Sequence, residues 1–105
     1  MKFLVKATIP VEAGNRLLSQ PAEFFDLVTK ILGDVRPEAF YFALADGQRN
    51  NYFVVNVNDG SEIPRIAEPF WLAMNAHVEF IPIMDHADIE KSRSVIEEIV
   101  PKYAR

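Results

Sequence analysis

The chain has 105 residues, half of them hydrophobic and 25% charged, which suits one folded domain over residues 1–105 and leaves too little for two cores. Its 11 Lys and Arg are scattered among 15 Asp and Glu, for a net charge of -4, so the basic footprint of a nucleic-acid binder is missing. Without cysteine there is no disulfide, no thiolate nucleophile and no Cys-based metal site, and two histidines without ligand spacing argue against a metal.

Lys2 to Ile9 alternates Phe3, Val5, Ala7 and Ile9 with Lys2, Leu4, Lys6 and Thr8, and Pro10 stops it, so a first strand is expected. The apolar run before Lys6 is too short for a signal-peptide core, and no stretch approaches the ~20 apolar residues of a membrane helix. A cytoplasmic protein without a membrane partner is the expectation. Val11 to Leu18 supports a short helical turn. A fuller helix starts with Pro21 at its first position, carries Phe24, Phe25, Leu27, Val28, Ile31 and Leu32, and is expected to end at Gly33.

Glu38 to Asn58 has the period of a β-hairpin. Phe40, Phe42, Leu44, Phe53, Val55 and Val57 form one face, expected to be covered by helices. Tyr41, Ala43, Tyr52, Val54, Asn56 and Asn58 form the other, poor in Lys, Glu and Thr and so expected to meet a ligand or another subunit. The turn is read as Asp46 to Asn51, around Asp-Gly.

Asp59-Gly60-Ser61 reads as a turn and cap before a helix carrying Ile63, Ile66, Ala67, Phe70, Trp71 and Met74, with a kink or break expected at Pro69. Trp71 reads as a core residue, with a pocket wall as the alternative. Ala76 to Met84 is a fourth strand, placed at an edge by Pro82, with His77, Glu79, Ile81 and Ile83 on one face. Asp85 caps a last helix from His86 to about Val100, striped by Ile89, Ile96, Ile99 and Val100 and ended by Pro101.

The order βαββαβ plus a C-terminal helix gives an α+β domain: two split βαβ units, a four-stranded antiparallel sheet of order 4-1-3-2, and helices on one face. This is the ferredoxin-like arrangement. The opening MKFLVKATIP, the strand NNYFVVNV followed by a Ser-led helix, and the segment EPFWLAMNAHVEFIPIMD resemble the dimeric α/β-barrel group. In that group two such domains press bare sheet faces together around a cavity. Within the group the chain resembles muconolactone isomerase and small bacterial proteins around it, although Pro64, the longer spacing after Pro69 and the last helix depart from the isomerase. No family catalytic set is carried over. The group also holds cofactor-free monooxygenases and haem proteins, but no haem-ligand pattern, Gly-rich phosphate loop or nucleophile elbow occurs here, so no cofactor is expected.

The bare face is expected to collect Lys6, Thr8, Tyr41, Tyr52, Asn56, Asn58, His77 and Glu79. His77 and Glu79 are two apart on a strand and point the same way, with Lys6 on the neighbouring strand. Base, acid and cation in one small area suit proton transfer beside a carboxylate or carbonyl. The candidate catalytic residues are Glu79, His77 and Lys6; Tyr41, Tyr52, Asn56 and Trp71 are candidates for holding a ligand.

The expected function is a homodimer, or a larger ring of dimers, that binds a small, largely apolar organic acid or lactone and isomerises it. Two alternatives stand beside it: a non-catalytic ligand-binding or interaction module, and a cofactor-free oxygenase using Trp71. The simpler reading of Lys6 and Glu79 is a cross-strand ion pair, and of His77 a solvated side chain.

Overall fold

The computed structural model describes residues 1–104. Alternation in the opening segment produces β1 (Lys2–Ile9), the strand on which the sheet is assembled. It pairs antiparallel with β3 (Gln48–Asn56) on one side and β4 (His77–Ile83) on the other; β2 (Ala39–Ala45) adds to β3, giving the order β2-β3-β1-β4. The molecule is an α+β domain with a four-stranded antiparallel sheet, in the strand order expected from the sequence and compatible with a ferredoxin-like fold.

The helices are α1 (Val11–Leu18), α2 (Pro21–Val35), α3 (Ile63–Met74) and α4 (His86–Tyr103), with a 3-10 turn at Gly60–Glu62. Val5, Ala7, Phe53 and Val55 on one face of the sheet meet Val28, Ile31 and Val35 of α2 and Ile66, Phe70 and Met74 of α3. Phe53 lies at the centre of this layer, stacked on Phe40 at 5.4 Å and on Phe70 at 5.1 Å between ring centroids. Burial of these aromatic and branched side chains is the main driving force for docking the helices.

Several local expectations are corrected. The stretch after Ile9 is a full helix, α1, rather than a turn. Gly33 does not end α2: Val35 continues the stripe of Val28 and Ile31 into the core, and Arg36 takes the left-handed position instead, at φ 50°. The helix α3 runs unbroken through Pro69, whose lost amide is offset by the burial of Ile66, Ala67 and Phe70 around it. Pro101 does not stop α4, which continues to Tyr103.

The hairpin turn is shorter than expected. Asp46 and Gly47 both have positive φ, 56° and 72°, so they form a two-residue primed turn and Ala45 pairs directly with Gln48. Asn50 and Asn51 therefore belong to β3 and are buried. The expected covering of the apolar hairpin face also fails at its edge: Phe42 is 63% exposed and Leu44 88%. They sit on an edge strand beyond the reach of the helix layer.

The capping motifs match the sequence. Asp59 accepts from the Ser61 amide at 2.8 Å, and Glu62 reaches back to the amides of Asn58 and Asp59. At the start of α4, Asp85 accepts from the Asp88 amide at 2.9 Å and Asp88 returns the contact at 3.1 Å. Beyond that cap, among the described residues, α4 buries no side chain and makes no extended contact with another element. The radius of gyration is 17.6 Å, where a compact domain of this length has about 13 Å.

Candidate functional site on the open sheet face

The β-register decides which side chains share the face that no helix covers. Tyr41 is opposite Tyr52, Tyr52 opposite Lys6, and Lys6 opposite Glu79, so these four form one row across all four strands. The next row is Ala43, Asn50, Thr8 and His77. On the other side of the first row lie Ala39, Val54, Leu4 and Ile81. Successive rows on one face are about 6.6 Å apart. Two polar rows thus border one apolar row.

Lys6 projects over the Tyr52 ring, with Nζ 5.9 Å from the centroid, a distance at which the ring quadrupole attracts the ammonium. Although Glu79 is its register partner, the two form no ion pair among the described residues, which have four such pairs elsewhere. The expected cross-strand pair is absent from this side-chain arrangement. His77 and Glu79 are both exposed.

One polar contact on this face is built into the scaffold. The Thr8 hydroxyl donates to Asn50 Oδ1 at 2.7 Å, while Asn50 Nδ2 donates to the carbonyls of Ala45 and Gln48 at 3.2 and 3.0 Å. Asn50 is 2% exposed and fully satisfied, tying the hairpin turn to β1. Sequence reasoning missed it by assigning it to the turn. The two-residue preference of Asp-Gly hairpins was the signal that would have placed it in the strand.

Of the expected site residues, the register brings together Lys6, Glu79, His77, Tyr41 and Tyr52. Asn56 lies two rows away, opposite Lys2, and its side chain accepts from the Met1 amine at 3.0 Å. Trp71 is neither core nor part of this face: it is 46% exposed on α3, which packs against the opposite side of the sheet. Nearby, Lys2 pairs with Glu38 at 3.2 Å, and that hydrogen-bonded carboxylate raises the ammonium pKa above its ordinary 10.5. Its contribution is complete below the unfolded value and is lost as pH rises through the folded one.

Two concavities lie beside the helices. One, of about 410 Å³, is walled by α1, α2 and α3 through Leu17, Phe24 and Leu72. The other, of about 350 Å³, lies beside β2 and is lined by Leu18, Phe25, Phe42 and Leu44, with Arg49 as its charged residue. Gly14 permits Arg49 to lie along α1, because a Cβ there would stand 3.3 Å from Arg49 Cδ. The guanidinium donates to Asn15 Oδ1 at 3.0 Å. Among the described residues no three His, Asp or Glu side chains are grouped to hold a metal ion, and no helix is long and apolar enough to cross a membrane.

No protein-family model matches the chain, and no curated protein matches it either, so the resemblance to muconolactone isomerase gains no support beyond the sheet and its strand order.

Proposed function

We propose that the chain forms a homodimer through its open sheet faces and binds a small, largely apolar organic acid or lactone between them. The observation that supports this reading is the in-register row Tyr41, Tyr52, Lys6 and Glu79 beside the apolar row Val54, Leu4 and Ile81, on a face that no helix covers. Apolar walls with a few convergent polar groups are the usual composition of small-molecule sites. In this proposal Lys6 meets the acid or carbonyl oxygen, Tyr41 and Tyr52 flank the carbon skeleton, and Glu79 or His77 moves a proton during isomerisation. A second sheet would exclude water and strengthen the interaction with Lys6.

Native mass spectrometry of the purified protein tests the pairing and any co-purified acid together. A dimer carrying an organic acid is expected; a monomer at micromolar concentration would sink the proposal. Lys6→Ala should weaken acid binding at least tenfold, and Glu79→Gln should abolish isomerisation while the dimer remains.

A second reading, binding without catalysis, is favoured by the exposure of His77 and Glu79 to solvent. In it Glu79→Gln leaves ligand affinity unchanged and no turnover is found with either chain. An oxygenase that depends on Trp71 draws no support from this face, since Trp71 lies across the sheet from it.

A further inference from the structure

Besides the open sheet face, two apolar surfaces have no partner among the described residues. The first is the stripe along α4, where Ile89, Ile96 and Ile99 are each between 41% and 48% exposed. The opposite side of that helix is polar and laced by the pairs His86 with Glu90, Arg93 with Glu97, and Glu98 with Lys102. The second is the groove beside β2, with Phe25, Phe42 and Leu44 all more than 60% exposed.

An unpacked helix rich in Ile, Val and Ser is marginal in water, since most helical stability in proteins comes from burying an apolar face. The cap at Asp85 fixes where α4 starts but buries nothing. Within one chain the two surfaces cannot meet without displacing the body. Helix α4 leaves β4 at Ile83, beside Lys2, whereas the groove lies along β2, the opposite edge, near the Ile9 end of the strands. The helix layer stands between them.

We infer that α4 crosses to a second copy of this chain and lies along its β2 edge, with Ile96 and Ile99 on Phe42 and Leu44. The inference rests on the proposed face-to-face pairing for its geometry. A two-fold axis parallel to the strands places the β4 edge of one sheet against the β2 edge of the other, about 10 Å away. Met84 and Asp85 are the link that bridges this gap.

The lengths agree. Along the strands, Leu44 stands about 23 Å from the level of Ile83. Laid beside β2, α4 reaches residue 99 at about 20 Å from its start. Symmetry makes the contact twice, so one dimer buries four surfaces that a monomer leaves wet. Soluble monomers rarely expose contiguous apolar patches beyond a few hundred Å².

The chain has no cysteine, so the inference can be tested by placed ones. Full-length Ile99→Cys and full-length Leu44→Cys, one of them affinity-tagged, are mixed, exchanged and treated with a short bismaleimide. The expected product is a cross-linked heterodimer, at least tenfold more abundant than either cross-linked homodimer. A double variant, Ile99→Cys with Leu44→Cys, that closes as a monomer would show α4 folding onto its own chain and overturn the inference. Dominant Leu44→Cys homodimers, the product of β2 pairing with β2, would overturn it as well. Dominant Ile99→Cys homodimers would do the same.

The native mass of the unlinked samples separates the two failures. A dimer without the cross-link defeats the docking of α4 alone, whereas a monomer defeats the face-to-face pairing too. In parallel, Ile96→Asp with Ile99→Asp should weaken self-association at least tenfold while leaving the sheet's folding intact, because neither residue packs in its own chain. An unchanged dissociation constant in that variant would overturn the inference.

Discussion

The two faces of the sheet are made from the same four strands and differ in nearly every physical respect. On one, Val5, Ala7 and Phe53 are fully buried beneath α2 and α3. On the other, Lys6, Tyr52, Leu4 and Val54 are half-buried by their neighbours alone, and Tyr41 and Ile81 stand open. Alternation along a strand separates the residues that hold the molecule together from those free to serve a ligand or partner. The open face can therefore be altered for function at little cost to folding, except where it is tied to the scaffold.

The sharpest way to test that contrast is substitution on the covered face. Phe53→Ala should cost about 3–5 kcal/mol, because it opens a cavity between Phe40 and Phe70. Urea unfolding measures the loss, and a cost below 1 kcal/mol would contradict the packing described. Thr8→Val attacks the exception on the open face. It leaves the buried Asn50 carbonyl oxygen without its donor and should cost about 1–3 kcal/mol by the same measurement.

Gly47→Ala, at φ 72°, should cost about 1 kcal/mol through backbone strain in the turn, with no change in the contacts of either face. Ile81→Glu, in the open apolar row, should change the unfolding free energy of the isolated chain by less than about 0.5 kcal/mol. The same variant should weaken self-association at least tenfold by analytical ultracentrifugation. If its stability fell as far as that of Phe53→Ala, the distinction between the faces would collapse.

The smallest expected effect is on acid sensitivity. The Ser61 amide holds the Asp59 carboxyl below the usual carboxylate range, and the Asp88 amide does the same for Asp85. A depressed folded pKa contributes stability above the unfolded value of about 3.9, and that contribution is lost as pH falls through the folded one. Far-UV circular dichroism should therefore show α4 fraying below pH 4. Asp85→Asn retains a capping oxygen and should flatten that acid limb.

Most of the scaffold was legible because hydrophobic period and capping residues act locally. Pro10, Pro21, Asp59 and Asp85 mark boundaries that the structure keeps, and the alternation in β4 correctly puts His77, Glu79, Ile81 and Ile83 on one face. What was not legible depended on the third dimension. Pro69 stays in a helix because buried neighbours on both sides hold it there, whereas Pro101 stays in α4 without any buried residue to compensate. The exposure of Phe42 and Leu44 follows from how far the helix layer extends, which the hairpin's own pattern does not encode.

The candidate site was readable as a set of outward-facing residues, but not as rows. Register is needed to see that Tyr41, Tyr52, Lys6 and Glu79 align while Asn56 falls two rows away. A residue such as Asn50 is invisible until the turn length is fixed, since one step along the strand moves it from one face to the other.

The position of β1 bears on how the protein is made. Both of its neighbours are synthesised after it: Lys2 finds Asn56 on one side only once β3 exists, and Ile83 on the other only once β4 follows. During translation β1 is thus made before β3 and β4 and waits for both to cover its hydrogen-bonded edges. Such distant pairings slow folding and prolong the exposure of an apolar segment. A nascent chain arrested before residue 77 has no β4 to cover that edge, leaving a ready template for chaperones or for another unfinished copy.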